Sequence, residues 1–307
     1  MSTAVRCEAF FFGAGRGARF CLLYEPAGTG VRGSVLYVPP FAEEQNRARR
    51  AASLCARQLA AAGWTVLQMD LAGCGDSAGD FADATWAGWI EDLRHGITIL
   101  GRRARGPLWL WAVRAGALLA ADLIKERHVD SHTPLLLWQP VLSGAQHLKQ
   151  FLRMRAVRAT TLDHPLPVRE TATAEMGGEH LVLDLVSQEH ARSRLRGSSH
   201  QLRADWICGK PVEVAGYTVS PALAFALDRA VFELPPTHRG RVVWLECVRA
   251  ASEPVAPASQ VCVTSLTSLG LQVNLERVVE EPFWQTTDTA QGQALVASSV
   301  RALGAVT

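Results

Sequence analysis

The chain has 307 residues, 48% of them hydrophobic and 20% charged, which is enough apolar material for a large core without disulfides or metals as staples. Lys and Arg number 31 against 29 Asp and Glu, a net charge of +2, so electrostatics gives no support for general nucleic-acid binding. The seven cysteines show no C-x-x-C spacing, which argues against a disulfide framework and against a zinc site.

The sequence pattern predicts a cytoplasmic protein without a membrane span. The amino terminus lacks the basic segment and long apolar run of a signal peptide. The most apolar segment, residues 108–124, is short for a span and contains Arg114 and Asp122. Reduced thiols fit the same compartment, and no pattern in the chain calls for a cofactor.

Strand-like runs alternate with helix-like runs along the chain, which predicts a mainly parallel sheet with helices on both faces. Strands are predicted at residues 20–25, 33–38, 64–71, 108–113, 134–140, 241–248 and 271–279, and helices at 45–62, 85–100, from about 114, and 289–303. Gly13, Gly15 and Gly17 precede a strand and open no helix, so they predict a turn rather than a phosphate loop.

The periodicity weakens between residues 145 and 236, where Pro and Gly interrupt short helical pieces. This segment is interpreted as an inserted lid, between an amino-terminal core at 1–144 and a carboxy-terminal core at 237–307. Within it, residues 148–158 put Leu148, Phe151, Leu152 and also Arg155 on one helical face. A lid helix over a pocket mouth is favoured, and a membrane-surface helix is the alternative because its cations should lie on the polar face.

Several segments resemble the α/β-hydrolase superfamily. Residues 70–77, "DLAGCGDS", resemble its D-x-x-G-x-G-x-S turn, and residues 108–119 occupy the place of its nucleophile elbow, a sharp strand-to-helix turn. The resemblance implies an α/β-hydrolase fold with a mainly parallel central sheet, helices on both faces and an inserted lid.

A closer resemblance is to the hydrolase 2 family of the exosortase A system. It rests on the strings "VPPFAEEQNRARR", "GCGDSAGDFADATW", "LWAVRAGALLAADL", "LLLWQPVLSG" and "PFWQT", in this order. The resemblance implies a hydrolase of a small acyl ester, thioester or amide, with partners from an exopolysaccharide and exosortase locus.

At the tip of the predicted elbow stands Arg114, where the superfamily carries its nucleophile. The small neighbours Ala112 and Gly116 indicate that the turn is kept. A guanidinium stays protonated and offers no lone pair, so Arg114 cannot attack a carbonyl. Its charge at a helix amino terminus also calls for an acidic partner or an anionic ligand.

The loop after residue 38, which supplies the oxyanion hole in the superfamily, reads Phe41-Ala42-Glu43-Glu44. Carboxylates there would repel an oxyanion but suit Arg114. Two alternatives remain open for Arg114. It forms a structural ion pair with Glu43 or Glu44, or it binds an anionic ligand. A further hypothesis is that Arg155 points toward an anion bound near Arg114.

The catalytic histidine of the superfamily is also missing from its place. No histidine follows His238, and the loop after the last strand carries Phe283 and Trp284. The dispersed histidines show no metal-ligand spacing and are interpreted as mostly surface residues. Glu253 is the nearest candidate for the acid.

Two other residues are considered as replacement nucleophiles and set aside. Cys74 is interpreted as a buried inert thiol, and Ser143 as a loop serine bonded to the backbone.

Two functions follow as alternatives: a hydrolase with an unusual nucleophile, or a non-catalytic protein that binds a small acyl or anionic ligand or a partner. In either case the residues expected around the pocket are Phe41, Glu43, Glu44, Arg114, Gln139, Arg155, Phe283 and Trp284.

Overall fold

The computed structural model describes residues 5–28, 30–163, 203–282, 284 and 292–304, with side chains described up to residue 153 in the helix that ends at 163. An eight-stranded sheet forms its centre, in the order β1-β2-β4-β3-β5-β6-β9-β10. Its strands are β1 Val5–Phe12, β2 Arg19–Pro26, β3 Gly33–Val38, β4 Trp64–Met69, β5 Leu108–Val113, β6 Leu135–Trp138, β9 Val242–Val248 and β10 Val273–Val279. Two short strands, β7 Val212–Val214 and β8 Tyr217–Val219, form a separate hairpin.

Within the eight-stranded sheet, the pairing is antiparallel only for β1 with β2 and for β2 with β4, and the other neighbouring strands pair in parallel. The helices are α1 Glu43–Ala61, α2 Trp86–Arg103, α3 Gly116–Lys125, α4 Gly144–Asp163, α5 Pro221–Arg229, α6 Pro257–Ser268 and α7 Gln293–Gly304. Helices α1 and α7 pack on one face of the sheet, and α2 and α3 on the other. This is the predicted α/β-hydrolase fold.

The predicted strands and helices are present, and their ends agree within three residues, except that the last helix begins at Gln293, four residues after its predicted start. Strand β1, helix α6 and the β7–β8 hairpin are not predicted by the sequence pattern. The Gly-rich turn prediction is confirmed, because Gly15–Gly17 forms a short 3₁₀ turn between β1 and β2. The lid boundaries at 145 and 236 remain a prediction; between β6 and β9 the structure describes α4, the β7–β8 hairpin and α5.

A row of aromatic rings crosses three neighbouring strands on the α1 and α7 face. Tyr37 of β3, Trp111 of β5 and Trp138 of β6 stack edge to face, with ring centroids 4.8 Å apart in each contact. The indole N–H of Trp138 donates to the hydroxyl of Ser299 on α7, at 2.8 Å. These contacts fix the register of α7 against the centre of the sheet.

Among the described residues, no helix has the length and apolar character needed to cross a membrane.

Candidate ligand pocket at the nucleophile elbow

The turn from β5 into α3 has the geometry of a nucleophile elbow. Arg114 adopts a φ of 52°, which costs an L-residue roughly 1–2 kcal/mol. The backbone N–H of Arg114 donates to the carbonyl of Trp138 at 3.0 Å, and the backbone carbonyl of Arg114 accepts from the N–H groups of Ala117 and Val141. A side chain at Gly116 would collide with the carbonyl oxygens of the β3 end, so the close approach of α3 to β3 requires glycine. The strained turn is kept, and a guanidinium stands at its tip.

The Arg114 guanidinium is held on three sides. Its Nη2 and Nε donate to Oε1 of Glu44 at 3.2 and 3.3 Å, and its Nη1 donates to the carbonyl of Gln139 at 3.1 Å. The ring of Trp284 lies 5.1 Å from the guanidinium carbon, which is cation–π distance. Three of the five N–H donors are therefore used inside the protein. The side chains of Arg114 and Glu44 are only 12% and 18% exposed, so solvent screens this ion pair weakly.

The two neighbouring glutamates have separate roles. Glu43 lies 3.4 Å from Arg47 one turn along α1 and accepts from the hydroxyl of Tyr217. Glu44 alone reaches Arg114. Both carboxylates lie in the first turn of α1, where the helix dipole favours negative charge. Glu44 thereby offsets the unfavourable position of Arg114 at the amino terminus of α3.

The loop that leads into α1 is strained at Ala42, whose φ of 52° and ψ of −127° are rare for an L-residue. Further along, α1 is tied to the Gly-rich loop after β4: the Asp70 carboxylate accepts from Gln45 at 2.9 Å and from Arg49 at 3.0 Å. These contacts hold the start of α1, and with it Glu44, beside the elbow.

His147 on α4 also lines this site, and the interpretation of the histidines as surface residues is wrong for it. The residue is 6% exposed, and neither ring nitrogen has a hydrogen-bond partner among the described residues. Burial lowers the pKa of His147; Glu44 opposes that shift and Arg114 adds to it. One signal was available in the sequence, since His147 shares a helical face with Phe151 four residues later.

A cavity of about 380 Å³ lies over Arg114. Its apolar walls are Phe41, Phe151 and Trp284, each 4% exposed. Its charged groups are Glu43, Glu44, Arg47, Arg114 and Arg153, with His147 and Gln150 between them. Arg153 has no ion-pair partner among the described residues. Glu43 is paired with Arg47 and Glu44 with Arg114, so Arg153 gives the described lining one excess positive charge.

The predicted pocket residues have different outcomes. Phe41, Glu43, Glu44, Arg114 and Trp284 come together around the cavity. The Gln139 side chain turns away from it, because its Oε1 accepts from the N–H of Cys247 at 2.7 Å; only its carbonyl touches Arg114. The side chain of Arg155 and all of Phe283 lie outside the described residues.

The carboxylates near the expected acid position are structural. Glu253 accepts from the N–H of Arg249 at 2.7 Å on an exposed loop. Glu246 is 2% exposed and accepts from the Trp244 indole and from the N–H of Ala256. His238, the last histidine of the chain, precedes β9 at the opposite end of the sheet from the elbow. The described residues thus bring no Ser–His–acid arrangement to the elbow.

The two residues considered as replacement nucleophiles lie in the surroundings that the sequence predicts for them. Cys74 is 8% exposed, and burial raises the pKa of its thiol to about 12, with Asp70 adding to the shift. The Ser143 hydroxyl accepts from the N–H of Gln146 at the start of α4. Within the part of the chain that the structure describes, no group of three His, Cys, Asp or Glu is placed to hold a metal ion.

The sheet order, the elbow after β5 and the helices on both faces define the α/β-hydrolase fold. The sequence matches the model of the family described as serine aminopeptidase, S33, over residues 30–227, which is well over half of the chain. The chain therefore belongs to this family. No curated protein matches its sequence.

Solved structures with the same fold include esterases and lipases. Est1E from Butyrivibrio proteoclasticus, bound to ferulic acid, matches with a TM-score of 0.56 and 11% identity, covering 96% of this chain and 97% of that one. A soluble variant of monoglyceride lipase from Saccharomyces cerevisiae matches with a TM-score of 0.54 and 11% identity, covering 97% and 94%. A fungal esterase from Rhizomucor miehei matches with a TM-score of 0.54 and 13% identity, covering 99% and 84%. At these identities the likeness concerns the fold.

Proposed function

We propose that this member of the hydrolase family is a non-catalytic binding protein whose pocket takes a small acyl or anionic ligand. The observation that carries the proposal is Arg114, which occupies the tip of the elbow and is locked to Glu44 at 3.2 Å. A guanidinium held by an ion pair cannot attack a carbonyl, and it occupies the space above the elbow in which a serine hydrolase places the acyl carbon of its substrate.

The pocket lining supports an amphiphilic ligand. Phe41, Phe151 and Trp284 offer apolar contact area, and Arg153 supplies a cation for an anionic end. Deeper in the site, Oε2 of Glu44 and both ring nitrogens of His147 are buried and have no partner among the described residues. An unpaired buried polar atom costs about 1–3 kcal/mol, which a polar group of the ligand would relieve.

Binding is tested by thermal shift and by isothermal titration with octanoate, octanoyl-CoA, a lysophospholipid phosphate and glucuronate. We expect one class to bind saturably, Phe151→Ala and Arg153→Gln to weaken it at least fivefold, and Arg102→Gln on the exposed end of α2 to leave it unchanged. If all four classes fail to bind, or if the pocket variants bind like the wild type, the binding proposal is wrong.

A hydrolase is the second candidate function, and membership of the serine aminopeptidase S33 family favours it. A panel of p-nitrophenyl esters with acyl chains of two to twelve carbons separates the two. We expect no turnover above buffer for the wild type, and none for Arg114→Ser, because no histidine follows His238 in the chain. Turnover that survives in Arg114→Ala, Cys74→Ala and Ser143→Ala would establish an enzyme with another nucleophile.

The resemblance to exosortase A-associated hydrolases supports the proposal that the protein acts in the cytoplasm beside exopolysaccharide production. The test is a deletion strain complemented with wild type or Phe151→Ala. Restored exopolysaccharide yield with the wild type and a deficit with the variant would support the role, whereas an unchanged yield on deletion would exclude it.

A further inference from the structure

A second cavity lies at the other end of the sheet from Arg114. It has a volume of about 340 Å³ and lies between the end of α3, the loop before β6 and the segment before β9. Its lining combines the apolar side chains of Ile124, Val129 and Pro235 with the polar groups of Arg127, Ser131, Thr237 and His238.

The walls of this cavity are held in place by the backbone. Arg127 lies two residues after α3 with a φ of 58°, and its backbone N–H donates to the carbonyl of Ile124 at 3.1 Å. The carbonyl of Ser131 accepts from the N–H groups of Arg239 and Gly240, which ties the loop before β6 to the segment before β9. A side chain at Gly240 would collide with the carbonyl of Thr133, so the two segments approach as closely as glycine allows.

His238 is the feature that points to a ligand. It is 1% exposed, and neither ring nitrogen has a hydrogen-bond partner among the described residues. An orphaned imidazole of this kind is rare, because buried polar groups in folded proteins nearly always find partners. The bound molecule would supply the missing partner.

The charges around His238 favour an anion. Burial lowers the pKa of His238, and the neighbouring His132 and Arg239 lower it further. Within the described part of the chain, no carboxylate lines the cavity or shifts the pKa of His238. The carboxylates that flank this part of the chain have other partners: Glu126 contacts His128 at 2.8 Å, Asp122 contacts Lys125 at 3.3 Å, and Asp130 accepts from the backbone N–H of His132 at 2.7 Å. Arg127 has no ion-pair partner among the described residues.

We propose that this second cavity binds a small phosphate ester. A phosphate group offers acceptor oxygens for the four donors around the cavity, namely the Arg127 guanidinium, the His238 imidazole and the hydroxyls of Ser131 and Thr237. The volume exceeds that of phosphate, so a small organic body packs against Ile124, Val129 and Pro235. The site is separate from the pocket over Arg114, and its occupancy does not depend on the function proposed for that pocket.

The experiment is isothermal titration at constant ionic strength with glycerol 3-phosphate, sulfate and acetate. We expect glycerol 3-phosphate and sulfate to bind and acetate not to bind. Arg127→Gln and His238→Gln should each weaken binding at least tenfold, whereas Arg153→Gln in the first pocket and the surface variant Arg102→Gln should not change it. Arg127 is exposed, so its variant keeps the test open if His238→Gln fails to fold.

Sulfate also tests the role of His238, because its charge is the same at pH 6 and pH 8. Protonated His238 attracts an anion, so wild-type affinity for sulfate should be higher at pH 6, and His238→Gln should lose most of this difference. The proposal is overturned if neither oxyanion binds saturably, if acetate binds as well as they do, or if both cavity variants bind like the wild type.

Discussion

At the scale of single residues, the pocket is organised by one buried ion pair. Burying a guanidinium and a carboxylate costs solvation, and the pair is tolerated because Gln139 and Trp284 complete the surroundings of Arg114. Charge reasoning from the sequence predicted that Arg114 has a negative partner, and it left a carboxylate of the protein and an anionic ligand open as alternatives. The sequence did not show whether Glu43 or Glu44 pairs with Arg114, because that depends on which face of the first turn of α1 lies against the elbow.

Glu44→Gln should destabilise the protein by about 3 kcal/mol, because it leaves the Arg114 charge buried without a counter-ion. Urea unfolding followed by circular dichroism measures the difference. Glu43→Gln is the matched control: its side chain is 36% exposed, so its pair with Arg47 contributes at most about 1 kcal/mol. Equal losses in the two variants would contradict a structural role for the Arg114–Glu44 pair.

His147 should make the protein less stable in acid. Its pKa is lowered in the folded state, so the unfolded chain binds the proton more readily. Stability is then complete above the unfolded pKa of about 6.5 and falls as the pH drops below it, by at most about 1.4 kcal/mol per pH unit. Unfolding free energies at pH 8 and pH 5.5 should differ less in His147→Leu than in the wild type. The same pH dependence in both proteins would show that His147 takes no part.

At the scale of elements, close backbone contacts set the position of α3. Gly116 brings the first turn of this helix against the end of β3, and the contact leaves no room for a methyl group. The approach places the strained tip of the elbow directly over the carboxyl edge of the sheet. Hydrophobic periodicity predicted α3 itself but carried no information about how close it lies.

Gly116→Ala should destabilise the protein by about 1–3 kcal/mol because the added carbon forces α3 away from β3. Gly101→Ala is the opposite case, a glycine inside α2 with open space around it, and should stabilise by about 0.5–1 kcal/mol through helix propensity. Thermal and urea unfolding of both glycine variants measures the two changes in stability. Stabilisation by both would show that the α3 contact relaxes at no cost.

At the scale of the whole molecule, alternating strand and helix patterns predicted the fold, but strand β1, helix α6 and the β7–β8 hairpin were not predicted. Strand β1 is an edge strand with a mixed burial pattern, so its alternation is weak. Helix α6 has β-branched residues and little amphipathic contrast. The second cavity could not be foreseen either, because Arg127 and His238 are far apart in sequence and meet only through the pairing of β6 with β9.

The burial pattern predicts how the seven cysteines react. Cys7 and Cys208 are exposed, whereas Cys21, Cys55 and Cys74 are buried and burial raises the pKa of each thiol. In the native protein at pH 8, a disulfide reagent such as Ellman's should titrate two thiols rapidly, and all seven should react in guanidinium chloride. Cys7→Ser with Cys208→Ser should abolish the rapid phase. Cys247 and Cys262 are half-buried and burial raises the pKa of both thiols, so they should react only slowly. Rapid reaction of Cys21, Cys55 or Cys74 would contradict the packing described for the core.

The aromatic row across β3, β5 and β6 gives the protein an optical signature of its own. Indole and phenol rings at 4.8 Å couple their electronic transitions, so Tyr37, Trp111 and Trp138 should produce a strong near-ultraviolet circular dichroism band. Each of the three rings belongs to a different strand. The band therefore reports the lateral spacing of the strands, and it should fade before the helical signal does whenever the centre of the sheet loosens.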